Sequence, residues 1–213
     1  MIGFIAALGA TAATRQPEEA KAAPAESGLA NAMPDVPFYL RGVARRLHEQ
    51  LANTRGELAL AKAELARARQ VMRFSGEYDI DADLAGKIFD VSVSEGIDPE
   101  LTFRIVRVES NFNPRAKSPV GAIGLAQVMV GTASYFHPGI TEEKLYDPET
   151  NLRIGLRYLR ALLEQHDGDI RTALLVYNRG PAAVQLALAA GEDPANGYEK
   201  AVLAGYSGRG VME

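Results

Sequence analysis

From Leu40 to Met72 the chain returns an apolar or small residue at alternating steps of four and three: Leu40, Ala44, Leu47, Leu51, Thr54, Leu58, Ala61, Leu65, Ala68 and Met72. A mean spacing of about 3.5 residues is that of a helix with one apolar seam. This stretch is therefore constrained to a long helix, expected over 37–74. The positions between carry Arg41, Arg45, Arg46, Glu49, Arg55, Glu57, Lys62, Glu64, Arg67, Arg69 and Arg73, which suits solvent contact. Either the seam pairs in a coiled coil or it packs on its own domain. Thr54 and the alanines dilute the seam, and Gly56 costs about 1 kcal/mol of helix propensity. The basic excess would suit an anionic polymer or a membrane surface, or is only a solvated face.

The remainder, 75–213, reads as short helices separated by turns, with no β-alternation, so the class is all-α. Asp81 caps a helix whose Leu84, Ile88 and Val91 share a face and which stops at Gly96. Asp98-Pro99 opens a second helix, because aspartate accepts orphan amides at the N-cap and proline suits the first turn. Asp147-Pro148 repeats the device before Leu152, Leu156, Leu159 and Leu163. Asp169 opens another helix, with Ile170, Ala173, Leu174 and Tyr177 inward, stopped by Gly180-Pro181.

Ahead of the long helix, Ile2 to Ala13 is an apolar, small-residue run with Ala10-Thr11-Ala12 as a cleavage candidate, so 1–14 is read as a signal peptide or short anchor. No Lys or Arg precedes the run, it is shorter than the roughly 20 residues a bilayer span needs, and an unstructured tail is the alternative. Residues 15–36 are Ala-rich, polar and punctuated by proline, as in a flexible linker.

Several function classes fall away on composition. A net charge of −4 is the wrong sign for a nucleic-acid binder. With no cysteine, thiolate chemistry, disulfides and an N-terminal lipidated cysteine are excluded. His48, His137 and His166 lack metal-ligand spacing, and no cofactor is expected.

The residue with the most chemical content is Glu109. Ile105 and Val106 precede it by four and three residues, so its carboxyl shares their apolar face. Asn111-Phe112-Asn113-Pro114 ends the helix just beyond, at the negative end of the dipole. Burial and dipole both disfavour the charged form, and a carboxyl kept protonated near neutrality is what a general acid for a glycosidic oxygen requires. The bland alternative is a structural glutamate paired with Arg104, Arg107 or Arg115. Gly121 to Gln127 is a glycine-rich apolar turn ending in an amide suited to sugar hydroxyls, or an ordinary turn before a helix. Tyr177-Asn178 offers a phenol and an amide beside a chain break, or plain core and cap.

Taken in order, these elements resemble the soluble lytic transglycosylase family, related in fold to goose-type lysozyme, over roughly 75–206. The resemblance rests on Gly96-Ile97-Asp98-Pro99-Glu100-Leu101, Val108 to Pro114, Gly121 to Met129, Tyr146-Asp147-Pro148, Asn151, Gly155, Tyr158-Leu159 and Tyr177 to Pro181. Val130, Val176 and Arg179 depart from the usual pattern, and Arg179 beside the cleft leaves substrate preference open.

The resemblance implies a lysozyme-like helical catalytic domain that cleaves the β-1,4 bond between N-acetylmuramic acid and N-acetylglucosamine in peptidoglycan. Glu109 would be the catalytic acid and base. Ser110, Gln127, Met129, Tyr177, Asn178 and Tyr198 would bind substrate or hold the site, with Ser110 steadying sugar or geometry, Tyr177 and Asn178 lining the cleft and orienting the acid, and Tyr198, in a short final helix, resembling the family's late tyrosine near the acid. Export to the periplasm or cell envelope would follow, with N-terminal anchoring an option and with self-association or an envelope partner through residues 40–72. Two alternatives stay open: a hydrolytic muramidase, in which a carboxylate such as Asp147 positions water, and a non-catalytic peptidoglycan-binding scaffold.

Overall fold

The computed structural model describes residues 37–212. The candidate leader or anchor at 1–14 and the candidate linker at 15–36 lie outside the described residues. Among those residues there are α-helices, one 3-10 turn and isolated β-bridges, so the chain is all-α. None of these helices is long and apolar enough to cross a membrane.

Helix α1 runs Phe38–Tyr78, four residues past the expected end. The chain divides into two compact units, Met1–Ala59 and Leu60–Glu213. In the first, the described residues are the opening of α1. In the second, the last turns of α1 bury Val71 and Phe74, and Phe74 explains the extension. Its ring stacks on Phe103 at 4.1 Å, and Tyr78 lies 5.5 Å from Phe103 and 5.2 Å from Phe112. Each such aromatic pair adds about 0.5–1.5 kcal/mol beyond burial, so the helix continues for as long as it has rings to pack.

Helix α2 (Ala82–Glu95) is capped by Asp81, whose carboxylate accepts from the Asp83 amide, and ends at Gly96 with φ 70°. A Cβ there would also come within 2.6 Å of Arg160 Nη1. Helix α3 (Pro99–Ser110) starts from the Asp98 cap. Beyond a long loop come α4 (Val130–Phe136), a 3-10 turn Glu143–Tyr146, and α5 (Pro148–Gln165), capped by Asp147. Leu152, Leu156, Leu159 and Leu163 of α5 are all buried. Helix α6 (Ile170–Arg179) starts from Asp169. Gly180, at φ 78°, turns the chain directly into α7 (Pro181–Ala189), so Gly180-Pro181 marks a corner between helices, with proline opening the second one. The short α8 (Tyr198–Leu203) follows.

Helices α2 and α5 are joined by charge as well as packing. Glu95 accepts from Arg153 Nη1 at 2.9 Å and Arg157 Nε at 3.0 Å, while Arg160 donates to the Glu95 carbonyl at 2.9 Å. The loop after Leu203 returns across the start of α3, where the Asp98 amide donates to Gly210 O and the Tyr206 hydroxyl to Asp98 Oδ2.

Candidate active site

Glu109 sits in the last turn of α3, on the face that buries Leu101, Ile105 and Val106. The helix stops there because Asn111 (φ 48°) and Phe112 (φ 61°) both take left-handed backbone conformations. Asparagine adopts that conformation readily at a helix end, whereas for Phe112 it costs energy, offset by burying the ring against Tyr78 and Phe103. The acid is thereby held at the carbonyl end of the helix.

The Tyr198 hydroxyl, from α8, donates to Glu109 Oε1 at 2.6 Å. Burial raises the Glu109 pKa to about 7, and the Tyr198 hydrogen bond, which favours the carboxylate, opposes that rise without cancelling it. Among the described residues no arginine pairs with Glu109. Arg104 bonds Glu100 and the Ala204 carbonyl, and Arg107 lies over the Tyr78 ring. The reading of Glu109 as a structural ion-pair partner is therefore corrected: among the described residues its side-chain partner is a neutral phenol and it forms no ion pair. Burial, with the Glu109 charge adding to it, also drives the Tyr198 and Tyr177 pKa values well up, so both phenols remain protonated donors.

The other expected residues divide between holding the loop and bordering it. Ser110 Oγ donates to Leu125 O at 2.9 Å, and Tyr177 OH donates to Ala126 O at 2.8 Å. Both side chains thus pin the glycine-rich loop, and neither bonds the acid. Gln127 lies in that loop at φ 46°, its Nε2 donating to Gly124 O at 2.9 Å, so the amide nitrogen is spent on loop geometry. Met129 is exposed at the start of α4. Asn178 is exposed and accepts from Asn196 Nδ2 at 2.8 Å. Arg179 donates to Pro194 O at 2.7 Å, which gives this departure from the pattern a local structural use. Asp147, considered as a second carboxylate, caps α5 by accepting from the Thr150 amide at 2.8 Å, and those hydrogen bonds lower its pKa.

Two positions carry more of the site than their place in the motif order indicated. Asn151 is fully buried, accepts from the Ala126 amide at 2.8 Å, and donates to Ile123 O at 2.8 Å and Leu145 O at 2.9 Å. It is the hub on which the loop beside Glu109 is wound. A Cβ on Gly155 would lie 2.7 Å from Ala126 Cβ and 3.0 Å from Tyr177 OH, so only glycine lets α5 approach the Tyr177–Ala126 contact. The signal available in sequence was an amide beside Leu152 on an otherwise apolar helical face.

Residues 87–197 match the family model of the transglycosylase SLT domain. The chain is 33% identical over 131 residues to the soluble lytic murein transglycosylase of Escherichia coli K12, covering 51% of this chain and 20% of that protein. It is 43% identical over 89 residues to the transglycosylase of Enterobacteria phage PRD1, covering 42% of this chain and 32% of the relative. Identity is 34% over 111 residues with the membrane-bound lytic murein transglycosylase C of Photorhabdus laumondii, covering 46% of this chain and 31% of the relative. The chain thus spans between a fifth and a third of the length of these relatives.

Proposed function

The chain belongs to the transglycosylase SLT family, and from that premise we propose that its helical domain is a peptidoglycan lytic transglycosylase with Glu109 as acid and then base. The observation that carries the reading is the partly buried Glu109 carboxyl, pKa about 7, with a single tyrosine hydroxyl on Oε1. That leaves Oε2 to meet a glycosidic oxygen.

In the first step Glu109 gives its proton to the oxygen linking N-acetylmuramic acid to N-acetylglucosamine. The C1–O bond breaks with its electron pair going to that oxygen, and the substrate's own acetamido oxygen bonds to C1. In the second step the Glu109 carboxylate takes the proton of the muramic 6-hydroxyl, O6 bonds to C1 and the acetamido oxygen leaves. The enzyme returns to its protonated form, and a 1,6-anhydro end is formed without water. One carboxyl suffices because the acetamido group takes the place of the second carboxylate of ordinary glycosidases. The Tyr198 hydrogen bond strengthens as Glu109 becomes negative, which stabilises the state formed by proton transfer. Ser110, Tyr177 and Asn151 serve by holding the loop, while Gln127, Met129 and Asn178 border the site where glycan would lie. The relatives named as murein transglycosylases, one of them membrane-bound, support an envelope location for this chain as well.

The test is mass spectrometry of products released from purified sacculi by the wild-type chain and by Glu109→Gln. Anhydro-muropeptides from wild type alone are expected. Products heavier by one water would mean hydrolysis, and equal release by Glu109→Gln would overturn the assignment of the acid.

A further inference from the structure

The long helix carries a surface that the catalytic reading leaves unused. In the register of the seam, the first core position of each heptad is taken by Ala44, Leu51, Leu58, Leu65 and Met72, and the second by Leu40, Leu47, Thr54, Ala61 and Ala68. Among the described residues the seam's large members are exposed: Leu47, Leu51, Leu58 and Leu65 are 59%, 47%, 52% and 51% exposed, and Met72 is 63% exposed. Gly42 and Gly56, which cost helix propensity, both fall on the outermost position opposite the seam, with open space around them. Where α1 does meet the domain it uses other positions, since Val71 is buried and Arg67 pairs with Asp90 at 2.5 Å.

The flanks of the seam differ in charge. Following the second core position come Arg41, His48, Arg55, Lys62 and Arg69, and preceding the first come Val43, Gln50, Glu57, Glu64 and Val71. In a parallel, in-register pair, a residue preceding the first core position faces the residue five further along on the other helix. Glu57 then meets the other copy's Lys62, and Glu64 meets its Arg69, twice over by symmetry. None of these four side chains forms an ion pair within its own chain among the described residues. An antiparallel pair would instead set basic flank against basic flank and acidic against acidic.

We infer that α1 is the dimerisation element of this protein, joining two copies as a parallel, in-register coiled coil. This gives each particle two copies of the Glu109 site. The occupant is a second copy because the helix's two flanks complement each other.

Sedimentation equilibrium of the full chain over a concentration series tests the stoichiometry. Association to twice the 22.9 kDa chain mass is expected, and a single-chain mass throughout would overturn the inference. The chain has no cysteine, so Leu47→Cys and Leu65→Cys report orientation cleanly. Each should oxidise to its own disulfide dimer, whereas cross-linking only between the two variants would mean antiparallel pairing, in which a first core position faces a second, and overturn it. Glu57→Lys with Glu64→Lys should weaken self-association at low salt by about tenfold or more, since the flank pairs change from attraction to repulsion. Mixing that chain with one carrying Lys62→Glu and Arg69→Glu should restore pairing. Failure of the mixture to associate, with each variant still releasing muropeptides as wild type does, would also overturn it.

Discussion

At Glu109 two effects of opposite sign act on one carboxyl. Burial raises its pKa to about 7 and the Tyr198 hydroxyl pulls it back. Because the first step needs the protonated form, activity should fall as pH rises through about 7, which a pH profile of muropeptide release will read. The same shift bears on stability. A folded-state value above the ordinary 4.5 means that the folded state holds the proton more tightly. The contribution is therefore full below 4.5 and is lost as pH rises to 7 and beyond. The gap corresponds to at most about 3 kcal/mol. Glu109→Gln is neutral at every pH and keeps an acceptor for Tyr198. It should match wild type in thermal unfolding near about pH 4 and be more stable by roughly 1–3 kcal/mol near about pH 8. Tyr198→Phe removes the bond that favours the carboxylate and leaves the acid less well held. Its release rate should drop about ten- to a hundredfold, with the alkaline limb of the profile moved to higher pH. A merely structural role for Tyr198 would leave that limb in place.

Among the elements, the loop between α3 and α4 depends on contacts from three helices: Ser110 of α3, Asn151 of α5 and Tyr177 of α6. Asn151 carries the most of it, because Asn151→Ala would strand a buried amide and two carbonyls at a cost of about 1–3 kcal/mol for each left unpaired. Denaturant unfolding should show a loss of about 2–5 kcal/mol, below the sum because the loop can shift. Ser110→Ala, which removes one hydroxyl shared between the Val106 and Leu125 carbonyls, should cost about 1 kcal/mol. Between α2 and α5, Glu95→Ala leaves Arg153 and Arg157 without their shared acceptor, yet both guanidinium groups reach solvent. Thermal melting should report a loss of about 1–2 kcal/mol, less than breaking a fully buried pair would cost.

For the whole molecule, two sites on one particle act through effective concentration. At limiting protein, wild type should co-sediment with sacculi more completely than the Glu57→Lys, Glu64→Lys chain, although release per chain at saturating sacculi is the same for both. Much of the helical plan was legible in advance, since caps and seams are local signals. Asp81, Asp98, Asp147 and Asp169 each accept from amides two or three residues on, and Leu152, Leu156, Leu159 and Leu163 share a face whatever lies opposite. The apolar setting of Glu109 was legible for the same reason, being a matter of its own helix. By itself, then, the sequence determined where the four aspartate-capped helices begin, which of their faces turn inward and which acid stands among apolar neighbours, because those follow from hydrogen bonds and periodicity within a few residues. The partner of that acid, the use of Asn151 as hub, the diversion of the Gln127 amide into its own loop and the exposure of the α1 seam were decided only in tertiary structure. Each depends on atoms distant in sequence, as with Tyr198, which reaches Glu109 across 89 positions of chain, and no local pattern encodes which distant group will arrive.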